Sequence, residues 1–289
     1  MTFVTVELAS QPRCWALAGN VDVGGLPSPG ERVAAVGCGT SRFMAQSYAA
    51  RREAAGLGET DAFAASELPA RAYDCVVALS RSGTTTEVVE LLDRLEEGSR
   101  SVALTAVAGS PVADRADATV LLDFAAEQSV VQTRFATTAL AVLRASLGED
   151  LGPAGSDAAT ALELAHPASP GAHRQLTFLG RGWSGGLAQE AALKCRESAG
   201  MWAEAYTAME YRHGPISAAG PHTLVWALGP LPPGLADEIE AMGATVEVGR
   251  LDPMAELVRI QRFAVALAEK AGLDPDHPRG LRYSVVLDG

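Results

Sequence analysis

Lysine is almost missing from this chain. Of its 23 basic residues only Lys194 and Lys270 are lysines, so a reaction that needs an amine has two candidates. Cysteine is scarce too: Cys14, Cys38, Cys75 and Cys195 form no Cys-x-x-Cys pair and no metal-like spacing to histidine. That pattern excludes a disulfide scaffold, argues against a zinc site or other resident metal, and fits a reducing compartment. Long hydrophobic runs are absent as well, since Gly, Pro or charge interrupts each one before about 18 residues. The start, MTFVTVELASQPRC, lacks a basic stretch followed by an apolar core. The expectation is a soluble, cytoplasmic protein with no membrane contact. Positive charge is in deficit: 35 acidic against 23 basic residues give a net −12, with no Lys/Arg stripe interleaved with aromatics. No nucleic-acid partner is therefore expected. A small anion would also be repelled at long range, so it must be held by aimed backbone amides and hydroxyls.

What the chain does have is size and alternation. Its 289 residues, 48% apolar and 20% charged, suffice for a full core. Short β-rich runs alternate with helical patterns: RVAAVGC, SRFMAQSYAARREAAG, DCVVALS, TTEVVELLDRLEEG, SVALTAV, ATVLLD, then VVQTRFATTALAVLRASLG. This predicts βαβ units and a mostly parallel sheet covered on both faces. After a Gly/Pro/Ala/Ser-rich stretch a second alternation begins: QLTFLGRG, GGLAQEAALKCRESAG, TLVWALG, PPGLADEIEAMG, ATVEVG, AELVRIQRFAVALAEKAG and a terminal YSVVL. The predicted fold class is α/β, with two units that are each a three-layer αβα sandwich. The expected divisions are an N-terminal helix and loop over 1–30, a first unit over 31–150, a connector over 151–172 and a second unit over 173–289.

The two units match at an offset of 143 residues: Gly37, Gly39, Ser41, Ala45, Gln46 and Ala49 meet Gly180, Gly182, Ser184, Ala188, Gln189 and Ala192. Duplication of one α/β unit is the expectation.

Three places could carry chemistry. VGCGTS opens the first unit as strand, Gly-x-Gly, helix, but Arg42 stands where a dinucleotide fingerprint needs its third glycine, so no nicotinamide or other cofactor is expected. The pair still brings the backbone of Cys38, Gly39, Thr40 and Ser41 close to whatever sits over the strand ends. SRSGTTTE sets Ser80, Ser82, Thr84, Thr85 and Thr86 around Gly83 where a strand gives way to a helix expected to begin near Thr84. First-turn amides, helix dipole and hydroxyls converging there suit a phosphate dianion. The plainer alternative is helix capping, with Glu87 closing a capping box to Thr84. The second unit has no equivalent cup. It carries Lys194 and Glu197 three apart on one helical face among Ala191, Leu193 and Ala199. That is a partly buried carboxylate suited to proton transfer, or else a surface ion pair. His213, before Gly214 and Pro215, is a loop histidine with little to distinguish it on its own.

Together these segments resemble the tandem SIS (sugar isomerase) family, including the isomerase domain of glucosamine-6-phosphate synthase and related aminosugar-phosphate enzymes. The resemblance is carried by CGTS at 38–41, SRSGTTTE at 80–87, EQSVVQTRF at 127–135, ALKCRE at 192–197, AEAYTAMEYRHGP at 203–215 and HPRGLRYSVVL at 277–287. It implies that Ser80, Arg81, Ser82 and Thr85, helped by Cys38, Gly39, Thr40 and Ser41, bind a sugar 6-phosphate, and that Val130 and Gln132 line the sugar. It implies further that Glu197 moves a proton between C1 and C2 beside Lys194, and that His213 assists ring opening from the partner subunit of a homodimer. One departure is visible: Tyr283 stands where the synthase-type tail has a lysine. The synthase's glutamine-hydrolysing segment is not in the sequence, so the expected activity lies outside synthesis from glutamine. The implied enzyme is an isomerase or deaminase of a hexose or (N-acetyl)hexosamine 6-phosphate. The alternatives are a dehydratase of N-acetylglucosamine 6-phosphate, as in some family members, and a noncatalytic phosphosugar sensor.

Overall fold

Apolar β-branched and alanine-rich segments that alternate with helices build two parallel sheets. The computed structural model describes residues 2–95 and 98–287. The elements run α1 (Phe3–Ala9), α2 (Gln11–Ala18), β1 (Val33–Gly37), α3 (Thr40–Ala54), β2 (Thr60–Ala64), β3 (Cys75–Leu79), α4 (Thr86–Asp93), β4 (Arg100–Thr105), α5 (Pro111–Arg115), β5 (Ala118–Leu121) and α6 (Arg134–Ser146). There follow α7 (Gly152–Glu163), β6 (Gln175–Gly180), α8 (Ser184–Ala199), β7 (Trp202–Thr207), β8 (Thr223–Ala227), α9 (Leu235–Ala241), β9 (Thr245–Val248) and α10 (Pro253–Lys270).

The first sheet has order β2-β1-β3-β4-β5 and the second β7-β6-β8-β9, all neighbours parallel. Removing β5 leaves one topology twice, which is the duplication expected from the 143-residue offset. In each, the chain steps from the inner strand (β1 or β6) to an edge, then crosses back to the other side. That reversal is a topological switch point, where the carboxyl ends of two adjacent strands face away from each other's crossovers and leave a crevice. Central strands β1 and β3 are buried along their whole length, as their unbroken apolar runs required.

The glycines at the offset positions do one job in both sheets. A Cβ on Gly37 would meet Ser41 Cβ at 2.7 Å, and one on Gly180 would meet the Ser184 carbonyl oxygen at 2.3 Å. Each strand end therefore lies against the first turn of the following helix closely enough to exclude a methyl group. Gly39 and Gly182 then turn the chain with φ of +52° in both units, a region L side chains avoid.

Contacts divide the chain into a first unit, of residues 13–128, 132–151 and the tail from Arg282, and a second unit, of the residues up to Pro12, 129–131 and 152–281. This partition departs from the expected divisions at three points, each with a local cause. The N-terminal segment is two helices, and α1 joins the second unit because buried Asp276 accepts the Phe3 and Val4 amides, both at 2.7 Å. Glu7 likewise accepts the Ser129 hydroxyl at 2.6 Å. The expected connector is largely α7, whose Ala154, Ala158 and Ala161 are buried at helical spacing and which packs on α10. Its weak helix formers are held by tertiary contacts, among them Asp157 accepting the Asp252 amide at 2.7 Å. The terminal YSVVL is not a strand: it is irregular chain bonded to the first unit.

Gly37→Ala and Gly180→Ala are each expected to cost about 1–3 kcal/mol by overpacking, with Gly180→Ala the worse because its methyl group would meet backbone at 2.3 Å against 2.8 Å at Gly37. Gly155→Ala, in α7 with nothing near its added methyl group, should be neutral or slightly stabilising. Thermal unfolding of the three variants checks the order; an unperturbed Gly180→Ala would contradict the close approach.

Candidate functional site

In the first unit the switch point lies between β1 and β3, flanked by the turn Cys38–Ser41 and the loop Ser80–Thr85. Thr40, Ser41, Ser80, Arg81 and Ser82 are buried there, Cys38 is half-buried and Gly39 exposed. Burial first, and Glu87 second, push the Cys38 thiol above its ordinary pKa, so it stays neutral. The loop is tightly cross-linked. Ser80 Oγ accepts the Gly83 amide at 3.2 Å and lies 3.2 Å from Thr85 Oγ1, while Ser82 Oγ accepts the Thr84 amide at 3.2 Å. Gly83 has φ +66°, and a Cβ there would fall 2.0 Å from Ser110 Oγ, so only glycine fits beneath the hydroxyls. Helix α4 begins two residues later than expected, at Thr86 with Thr85 as N-cap and no side-chain capping bond. Neither Thr84 nor Glu87 forms the capping box, so the hydroxyls are not there to cap the helix.

The tail of the chain covers this loop. Ser82 Oγ donates to Ser284 Oγ at 2.9 Å, Thr84 Oγ1 lies 2.9 Å from the same oxygen, and the Thr86 amide donates to the Val285 carbonyl at 3.1 Å. Arg81 does not turn into the cup. Its guanidinium stacks on the Tyr283 ring at 4.0 Å, donates to the Tyr283 carbonyl at 2.9 Å and pairs with Glu127 at 3.4 Å. The Tyr283 hydroxyl in turn donates to the Glu127 carbonyl at 3.1 Å.

Glu127 is the residue that sequence reasoning passed over. Its side chain is fully buried, and one oxygen accepts the Thr133 amide and hydroxyl and the Arg134 amide at 2.7, 2.9 and 2.8 Å. It fixes the start of α6 and the Arg81 head group together. The signal was an acidic residue six before Thr133 in EQSVVQTRF. Gln132 is buried beside it in sequence and belongs to the first unit, whereas half-buried Val130 belongs to the second, its amide donating to Asp276 O at 3.0 Å.

In the second unit, α8 packs on β6, β7 and α10, so several of its polar residues, Glu190, Lys194 and Ser198 among them, are buried. Glu190, Lys194 and Glu197 follow one another along one face. Lys194 is 1% exposed and lies 3.3 Å from Glu190, which is wholly buried; it also donates a short bond to Glu197, which keeps 19% of its side chain exposed. This is not a surface ion pair. Burial pulls the Lys194 pKa down, but the two carboxylates outweigh it and hold the ammonium above its ordinary value. The ammonium clamped between the two carboxylates holds Glu197 in place while part of its side chain stays reachable. Gly200, with φ +62°, ends the helix just beyond it. His213 follows a short 3-10 turn and is exposed, its amide donating to the Glu210 carbonyl at 2.9 Å. Its ring has no hydrogen-bond or ion-pair partner among the described residues, so the second unit does not pair it with Glu197.

The family model described as the SIS domain matches residues 28–147. Residues 28–147 are an SIS domain. Outside that domain, the second unit repeats the order of the domain's first four strands. A glutamine–fructose-6-phosphate aminotransferase of Aeropyrum pernix is 30% identical over 99% of this chain and 57% of its own length. The chain therefore spans little more than half of that relative. A glucosamine-6-phosphate deaminase of Thermotoga maritima superposes with a TM-score of 0.83 at 25% identity, covering 99% of this chain and 100% of that one. The C-terminal domain of a glucosamine-fructose-6-phosphate aminotransferase of Francisella tularensis shares the fold, with TM-score 0.82 at 22% identity over 96% and 98% of the two chains. No helix among the described residues is long and apolar enough to cross a membrane.

Lys194→Met should destabilise the protein by about 3–5 kcal/mol, because it leaves Glu190 as a buried charge without its cation. Adding Glu190→Gln should recover much of the loss. With the folded pKa raised, the lysine's contribution is complete below 10.5 and disappears as pH rises through the higher folded value. Urea unfolding of the single and double variants at neutral pH checks this; equal losses in both would contradict a charge-based cause.

Proposed function

We propose that this chain is a sugar-phosphate enzyme of the isomerase/deaminase type, acting on a hexose or (N-acetyl)hexosamine 6-phosphate. The observation that carries the reading is Glu197: one reachable carboxylate held in place by a fully buried lysine, in a chain whose SIS domain also builds a hydroxyl-lined loop at a helix start. The likeness to aminosugar-phosphate enzymes supports the substrate class.

In this reading Ser80, Ser82 and Thr85, with Cys38, Gly39, Thr40 and Ser41, hold the phosphate through hydroxyls and amides, which suits a protein of net charge −12. Arg81 serves by holding the tail, and Gln132 and Val130 line the sugar. His213, supplied by the partner subunit of a homodimer, takes the proton of the C1 hydroxyl and delivers it to the ring oxygen as the C1–O5 bond breaks, which opens the ring to the aldehyde. Glu197 then removes the C2 proton, and the electron pair moves through C1 onto the aldehyde oxygen as an enolate. Lys194 positions Glu197. Returning the proton to C1, with O1 protonated and the C2 hydroxyl giving up its proton, turns a hexose into the ketose; in an amino sugar the same step leaves an imine at C2, which water hydrolyses to the ketose and ammonia.

A second reading is dehydration, in which the same enolate expels the C3 hydroxyl. Tyr283 favours it over amine chemistry in the tail: in place of the family's lysine it carries a ring engaged by Arg81 and a hydroxyl engaged by Glu127.

In deuterated water, wild-type protein given glucosamine 6-phosphate or its N-acetyl form should place deuterium on the substrate or product and form a ketose, free ammonia or a C2–C3 alkene, seen by NMR. Glu197→Gln should bind the sugar but exchange no proton. Mixing Glu197→Gln with His213→Ala should restore part of the activity, since a mixed dimer holds one site with both native groups. Tight binding with neither exchange nor product across hexose and hexosamine 6-phosphates would leave a sensor.

A further inference from the structure

The second unit has its own switch-point crevice, between β6 and β8, and its lining differs from that of the first. It holds about 670 Å³, within the usual range for small-molecule sites. Position for position it corresponds to the anion cup: the turn after β6 matches Cys38–Ser41, and the loop after β8 matches Ser80–Thr85. The chemistry has been replaced. After β8 the chain reads Leu228-Gly229-Pro230-Leu231-Pro232-Pro233 up to α9, with no hydroxyl and with three prolines that have no N–H to offer an anion. Leu179, Ala227, Leu231 and Val248 supply apolar walls, and the half-buried Trp183 stands at the start of α8.

Two cations border this apolar space. Arg181 comes from the turn after β6 and Arg250 from the turn after β9, and both are exposed. Neither guanidinium has a hydrogen-bond, ion-pair or ring partner among the described residues. The nearby Glu256 does not neutralise Arg250: it accepts the Arg250 and Leu251 amides at 3.0 and 3.3 Å and pairs with Arg259 at 3.0 Å. In a chain of net charge −12, two unpaired arginines at the rim of one apolar crevice are a local reversal of sign.

We infer that this crevice is a second ligand site, separate from the sugar-phosphate cup, for a flat aromatic or heteroaromatic body bearing an anionic group. The ring enters the apolar space beside Trp183 and the anion meets Arg181 and Arg250, as a nucleoside monophosphate or an aromatic carboxylate would allow. A sugar phosphate fits poorly here, because its hydroxyls would face Leu, Val and Pro without partners.

The test uses the full chain and the fluorescent sulfonate 8-anilinonaphthalene-1-sulfonate, with the uncharged N-phenyl-1-naphthylamine as its control. Saturable binding of one sulfonate per chain is expected. Arg181→Glu with Arg250→Glu should weaken it about tenfold or more while leaving the uncharged probe and the thermal melt unchanged. Arg181→Gln with Arg250→Gln gives a milder version of the same loss if the reversed charges disturb folding. Saturating glucosamine 6-phosphate should not displace the probe, whereas AMP or phenylpyruvate should, and whichever competes identifies the anion. Unchanged sulfonate affinity in the arginine variants, displacement by glucosamine 6-phosphate, or competition by neither AMP nor phenylpyruvate would overturn the assignment.

Discussion

Everything distinctive in this chain depends on how closely a strand end approaches the helix that follows it. At Gly37 and again at Gly180 the backbone passes the next helical turn at a distance that a methyl group would violate. That approach sets the helix start beside the strand end, and with the strand order it opens one crevice per unit at the switch point. The side chains placed around each crevice then decide what it can hold. Because the scaffold contact is steric and nearly identical in both units, the loops that follow could diverge without disturbing either sheet.

The divergence is chemical. Around the first crevice, hydroxyls and backbone amides are packed at hydrogen-bonding distance and tied to the tail. Around the second, proline and leucine replace them and the polar chemistry moves into the adjacent helix, where Lys194 sits between Glu190 and Glu197. Burial makes that ion cluster costly unless every charge is answered, and the cation answers both carboxylates. A structural pair could have been placed on the surface at little cost. The enclosed ammonium instead fixes the position of the one carboxylate that is left reachable.

Much of this was legible in the sequence, for physical reasons. Buried parallel strands such as DCVVALS and TLVWALG must be apolar on both faces, and the glycines at an offset of 143 mark a close strand–helix approach at Gly37 and Gly180 and a positive-φ turn at Gly39 and Gly182. The Ser/Thr run after β3 was legible because so many hydroxyls exceed what a helix cap can use. Edge strands β2 and β7 were missed: TDAFA and WAEAYT are only partly buried, so neither carries a continuous apolar run. The helix α7 was underread because GPAGSDAATALE is a poor helix former held by α10. Glu127 and the tail contacts were hidden for another reason. Arg81 and Tyr283 are 202 positions apart, and no local pattern announces a contact of that length. His213 owed its place entirely to the family resemblance, and its ring makes no contact that would have singled it out.

The central claim is that one duplicated scaffold recognises the phosphate in one unit only. Calorimetric titration of glucosamine 6-phosphate into wild-type, Ser82→Ala and Ser184→Ala proteins tests it most directly, since the two serines flank corresponding crevices. The Ser184 hydroxyl accepts the Arg181 amide at 2.8 Å and is occupied in holding its own turn. Ser82→Ala should lose about 1.5–3 kcal/mol of binding, the usual worth of a hydrogen bond to a charged group, while Ser184→Ala stays close to wild type. Equal losses at the two positions, or a larger one at Ser184, would contradict the account.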